Sequence, residues 1–190
     1  EFFERPIWKV GDSWTYKITG GADNDTIQVE SVTEVLPDGY TVKVTSGGNT
    51  VSTRKYNLDM NLTDWGEIHI TPERDVFHFP LRVGQLYMGK EFKYPHPRKP
   101  GVLITAHSEM QSLTLKTITV KAGTFNAVEL KVKLPYRQSG LGTYANYIEA
   151  TYLYIPSIGC IAEIQHMDWG GPKDIRSWER ELIAFHRQPS

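Results

Sequence analysis

The chain has 190 residues with 21 Lys and Arg against 22 Asp and Glu, and a formal charge of -1 supplies no field to draw in a polyanion, so no nucleic-acid partner is expected. An apolar content of 39% supports a packed core, while 11 Pro and 16 Gly spread along the whole length call for turns and short elements and exclude collagen, coiled coil and disorder. No run of about 18 apolar residues occurs, so no transmembrane segment is expected.

In chain order, the first readable feature is Val10-Gly11-Asp12-Ser13-Trp14-Thr15-Tyr16, a Val-Gly pair leading into strand-like sequence. Val35-Leu36 then runs into Pro37-Asp38-Gly39. Beyond it Tyr40, Val42 and Val44 point one way and Thr41, Lys43 and Thr45 the other, which predicts a hairpin. Tyr56, Leu58, Met60 and Leu62 repeat the alternation. Residues 59–67 carry several oxygen donors, but the positions an EF-hand would give to Gly and Glu hold Asp64 and Ile70, so a polar strand edge entering a turn is the better account.

Val83-Gly84-Gln85-Leu86-Tyr87 repeats the Val-Gly phrase about 70 residues after the first, a spacing too long for a solenoid and suited to two β halves of similar plan. Between Tyr94 and Gly101, Pro95, Pro97 and Pro100 remove amide donors that a central strand needs. The expected organisation is one β domain, 1–190, with halves 1–93 and 101–190 joined by this Pro-rich loop. Lys90, Lys93, Arg98 and Lys99 form the one basic concentration; a solvated surface loop accounts for them, with contact to anionic headgroups or polysaccharide as the alternative.

Val128, Leu130, Val132 and Leu134 alternate with Glu129, Lys131 and Lys133, one face dry and one wet, as in an antiparallel sheet. Tyr136, Tyr144, Tyr147, Tyr152 and Tyr154 gather around Gly140-Leu141-Gly142. Sheet packing explains such rings, and the same set is the candidate ligand-binding group, since flat rings line apolar pockets and stack on sugars. Residues 174–185 fit a helix capped by Asp174 with Ile175, Trp178 and Leu182 on one face, and they also fit a strand.

Catalytic signals are absent from the sequence. His69, His78, His96, His107, His166 and His186 show no metal-ligand spacing; His166 and His78 would be the first places to look for a metal assembled across strands. No Gly-x-Ser-x-Gly or Ser-x-x-Lys occurs. Cys160, the only cysteine, excludes an internal disulfide and reads as a small buried hydrophobe. No cofactor and no metal are expected.

Two phrases carry a resemblance. Lys116 to Leu130, with its Ala122-Gly123-Thr124-Phe125 turn, is followed by Thr151 to Glu163, with its Tyr154-Ile155-Pro156-Ser157-Ile158-Gly159 turn. The pair resembles that of uncharacterised bacterial exported proteins and lipoproteins, whose closing strand is similar to Glu181-Leu182-Ile183-Ala184-Phe185. Lys121 and Cys160 depart from that pattern, which usually has Pro and an aliphatic residue, while the turn glycines Gly123 and Gly159 keep to it. The resemblance implies a C-terminal strand and an all-β fold, a large twisted antiparallel sheet, half-barrel or sandwich, related in some members to lipoprotein carriers that hold acyl chains in a concave apolar face. It further implies an exported location, periplasmic or anchored to the outer membrane as a lipoprotein. The opening Glu1-Phe2-Phe3-Glu4-Arg5-Pro6, without Met or signal sequence, fits a mature or trimmed chain.

The expected function is therefore non-catalytic, binding or structural, with a lipid or other apolar or amphipathic ligand. A glycan- or protein-binding module of the cell envelope, and a hydrolase whose site assembles only in the fold, stand as alternatives.

Overall fold

The computed structural model describes residues 1–140, 146–170 and 176–190, and among them the regular structure is sixteen strands and no helix. The strands are β1 (Phe2–Phe3), β2 (Ser13–Gly20), β3 (Thr26–Leu36), β4 (Gly39–Ser46), β5 (Asn49–Asn57), β6 (Leu62–Trp65), β7 (Ile68–Arg74) and β8 (Leu81–Arg82). They continue as β9 (Leu86–Met88), β10 (Phe92–Pro95), β11 (Leu103–Ala106), β12 (Glu109–Val120), β13 (Gly123–Gln138), β14 (Asn146–Ile155), β15 (Cys160–Asp168) and β16 (Ser177–His186). All pairings are antiparallel. The C-terminal segment is a strand, its Trp178, Arg180 and Leu182 opposite Gly20, Ile18 and Tyr16 of β2.

The antiparallel sheet goes one step beyond a half-barrel or sandwich and closes on itself. β13 is long enough to serve two partners: residues 123–133 pair with β12, and Tyr136, Arg137 and Gln138 pair with Ala106, Thr105 and Ile104 of β11. That second pairing joins the ends of the strand order β11-β10-β7-β6-β5-β4-β3-β2-β16-β15-β14-β13 into a twelve-stranded barrel. β9 and the first part of β12 form a ribbon outside the ring. The thinnest seam lies between β7 and β10, with the single pair Thr71 and Lys93, because Pro72 offers no amide to extend the ladder. The Pro-rich segment makes a hairpin between β10 and β11, with the His96 amide donating to Val102 and the Val102 amide to Lys99.

One end of the barrel is plugged. The Trp8 ring lies 5.0 Å from Trp14, 4.9 Å from Tyr40 and 5.8 Å from Tyr56, and its indole N–H donates to the Gly159 carbonyl at 2.8 Å. Phe79 meets Tyr154 edge-on nearby. Three buried polar side chains pin the segments that make this plug. Asp12 accepts from the Lys9 and Gln188 amides at 2.8 and 2.7 Å and pairs with Arg187, tying the two ends of the chain together. Asp75 accepts from the Tyr87 hydroxyl and the Lys90 amide. Asn61 accepts from the amides of Val76 and Phe77 and donates to the Phe77 carbonyl, all at 2.8 Å. Each group satisfies backbone atoms that have no sheet partner.

The repeated Val-Gly phrase is one turn built twice. Gly11 donates to Val32 and Gly84 to Ser112; the next amide in each case donates three residues back, Asp12 to Lys9 and Gln85 to Arg82. The partner strand then answers, Val32 donating to Asp12 and Ser112 to Gln85. Both glycines have φ near +90°, at +93° and +84°, where a side chain would be strained. At the Ala-Gly-Thr-Phe turn Phe125 folds back beneath Gly123 and meets Phe185 edge-on.

Asn61→Ala removes the partners of two amides and a carbonyl at a buried position, and is expected to cost about 2–4 kcal/mol of unfolding free energy in a denaturant titration. A loss below about 1 kcal/mol would show that the plug is not pinned by this side chain.

Candidate functional site

Closure leaves a cavity of about 530 Å³ inside the barrel, within the ordinary ~300–1,000 Å³ of small-molecule sites. Because side chains alternate along a strand, lining residues from one strand are often two apart, as are Gln28 and Glu30 of β3 and Trp178 and Arg180 of β16. Ile18 of β2, Val42 of β4, Ile70 of β7, Phe92 of β10, Leu134 of β13, Ile148 and Tyr152 of β14 and Ile164 of β15 make an apolar wall. Trp8, Met60, Val76 and Phe77 close the plugged end, while Gly20 to Asp23, Trp65, Arg98 and Trp178 line the opposite end, where the hairpin tips lie.

Set into that wall is a charged group. Glu30 of β3 is buried, and its Oε1 accepts from Arg54 Nη1 of β5 at 2.8 Å and from Arg180 Nη1 of β16 at 2.9 Å. The Arg180 guanidinium also lies over the Tyr16 ring, 4.0 Å from its centre. Burial works against the Arg180 charge, but Glu30 and the phenols of Tyr16, Tyr56 and Tyr152 outweigh it and hold its pKa above the ordinary value. Arg54 is likewise raised against burial, by Tyr56 and Glu30. Burial pushes the Tyr16 and Tyr56 hydroxyls up, so both stay neutral donors. Two guanidiniums thus share one carboxylate, and the buried Arg180 Nε has no hydrogen-bond partner. The Trp14 indole N–H, also on the lining, is buried without one too.

A second polar group sits on β13 and β15, the latter next to β16 in the ring. The Tyr136 hydroxyl donates to Asp168 Oδ1 at 2.8 Å, and the same oxygen accepts the Gly170 amide. His166 stacks on Trp178 with ring centres 4.6 Å apart. Burial, with Arg74 adding to it and Asp168 opposing, lowers the His166 pKa to about 4, so the imidazole is neutral at pH 7. Cys160, at the edge of the cavity, is buried and its thiol is pushed up to about 12, the behaviour of a small apolar side chain.

The five tyrosines read as one candidate set are distributed differently. Tyr136 and Tyr152 line the cavity. Tyr154 is packed in the plug against Phe79, its hydroxyl unpartnered. Tyr147 is half-buried beside Trp169, with Lys133 Nζ 4.7 Å from its ring centre. Tyr144 lies outside the described residues. Of the basic loop, Arg98 reaches the cavity; Lys99 donates to Gln138, Lys93 lies 3.9 Å from Glu91, and Lys90 is exposed. His78 stacks on Tyr87. Glu30, Arg54 and Arg180 were not singled out by sequence. The available signal was phase: Arg180 stands between Trp178 and Leu182 at i±2, and Arg54 two residues before Tyr56, so each charge occupies the apolar face.

The folded His166 resists the proton that an unfolded imidazole accepts near pH 6.5, so stability is full above pH 6.5 and declines as the pH falls toward 4. His166→Phe is expected to flatten this part of the stability-against-pH curve relative to the parent. Parallel curves would show that the imidazole is free to titrate.

No family model matches the chain, and no curated protein matches its sequence. The fold is similar to that of a predicted lipoprotein from Parabacteroides distasonis ATCC 8503, with a TM-score of 0.61 and 14% identity over 97% of this chain and 99% of that one. It is also similar to a predicted exported protein with YmcC-like fold from Bacteroides fragilis NCTC 9343, with a TM-score of 0.56 and 14% identity over 98% and 100% of the two chains. Both are of the kind that the two turn phrases resemble, and at this identity the likeness carries the all-β fold and leaves function to the site.

Proposed function

We propose that the chain is an exported bacterial cell-envelope protein, periplasmic or anchored to the outer membrane as a lipoprotein, that holds an apolar or amphipathic molecule in its barrel without turning it over. The observation that carries this reading is the cavity of about 530 Å³ with its wall of aliphatic and aromatic side chains. Burying an apolar chain there gains about 25 cal/mol for each Å² removed from water. The location rests on the fold shared with predicted exported proteins.

Organic extraction and native mass spectrometry of protein purified from its own host are expected to show a bound apolar molecule. Leu134→Trp, which narrows the cavity, is expected to cut uptake of a fluorescent fatty acid severalfold with an unchanged circular dichroism spectrum. Protein that is empty as purified and takes up no apolar probe would sink the reading.

One observation favours a second reading, a glycan-binding surface. Trp169 is 52% exposed and its ring lies 5.9 Å from Tyr147 at 32°, a shallow aromatic platform with Lys133 beside it. Binding on a glycan array that Trp169→Ala abolishes would support it, and a blank array would remove it.

A further inference from the structure

We propose that the molecule held in the barrel carries an anionic head, seated on Arg180 and Arg54, with its apolar body along the wall formed by Leu134, Ile148 and Ile164. The inference rests on the binding reading above and adds the chemical class of the ligand. Its basis is an imbalance inside the barrel. Glu30 offers the same oxygen, Oε1, to both guanidiniums, at 2.8 and 2.9 Å, so one carboxylate answers two cations. The Arg180 and Arg54 side chains are only 12% and 20% exposed, so bulk water and salt do little to offset the surplus.

An unbalanced buried charge is costly, and a planar guanidinium satisfies a carboxylate through two parallel N–H bonds. Arg180 has a donor to give, since its Nε is buried and makes no hydrogen bond while Nη1 is held by Glu30. Tyr16 lies against the guanidinium face, so a new acceptor must come to the edge, and reaching Nε, which is out of solvent contact, takes a shift of the side chains that cover it. The ligand class that fits is a single carboxylate or other monoanion on an apolar tail, because one negative charge restores neutrality to the Glu30, Arg54 and Arg180 group.

The test compares cis-parinaric acid with its methyl ester by fluorescence titration at pH 7. These probes share a tail and differ in the charge of the head. The parent protein is expected to bind the acid at least tenfold more tightly than the ester. Arg180→Met is expected to remove that preference, weakening the acid at least tenfold and leaving the ester within about twofold. Acid and ester bound equally by the parent protein would overturn the anionic head while leaving the apolar cavity as a binding site, and this comparison needs no variant to fold. A variant that weakens both probes alike would overturn it too, since the arginine would then act through packing. Uptake of neither probe would overturn the inference together with the reading it rests on.

Discussion

Three residue pairs between β11 and the far end of β13 decide what the rest of the molecule can do. Open, the twelve strands would be a curved sheet with two unpaired edges, each a template for association with another chain. Closed, they have one face turned to solvent and one turned to a shared interior. Eight strands make a ring that side chains can fill, and sixteen leave an aqueous channel; twelve lie between. This barrel fills one end with Trp8, Trp14, Phe79 and Tyr154 and leaves about 530 Å³ at the other. The long β13 is what allows this, since the bend at His107 and Ser108 sends β11 and β12 to different lengths of the same strand.

The plug and the cavity handle polar atoms in opposite ways. In the plug the Tyr154 hydroxyl is buried without a partner, while Asp12, Asn61 and Asp75 each bond to backbone amides that no strand partner reaches. Such groups stabilise a specific arrangement, and removing one exposes its partners to the full cost of burial without a bond. In the cavity Glu30, Arg54 and Arg180 bond to one another, and the set does not close: two donors converge on one carboxylate oxygen while Arg180 Nε has no acceptor. A buried ion pair often adds little net stability over apolar packing, so a group with surplus charge is poor scaffolding. The surplus charge in the cavity is what supports the proposed binding there.

Much of the fold was legible because burial on one face imposes a period of two. Tyr40, Val42 and Val44, and Val128 through Leu134, fall in strands with the expected face inward. The Val-Gly phrase was legible as a repeat because each copy needs a residue at φ near +90° before its strand. Closure was not legible, since the pairing of Ile104 with Gln138 depends on how far the sheet curls and not on either segment's own pattern. The site was hidden for a related reason. A charged residue in an alternating segment is ordinarily read as solvent-facing, and Gln28 and Glu30 have outward neighbours, Ile27 and Val29, that are the more apolar. The tyrosines misled by sequence proximity: adjacent residues of β14 point to opposite faces, so Tyr147 and Tyr152 cannot share a surface.

Net charge behaves differently on the two faces of such a barrel. The formal charge of -1 sums mostly side chains on outward faces, such as Lys131, Lys133, Glu149 and Glu179, where salt screens each beyond a Debye length of roughly 8 Å. That sum sets the long-range field that large partners meet on approach. Inside the barrel no such averaging occurs, because the low dielectric makes each uncompensated charge count and the wall admits few counter-ions. An almost neutral chain can therefore present a strongly cationic point to any molecule small and apolar enough to enter. In the proposed site, selectivity for charge would come from Glu30, Arg54 and Arg180 together with Asp23, Arg74, Arg98 and Asp168 on the same lining, and not from the net charge of the outer surface.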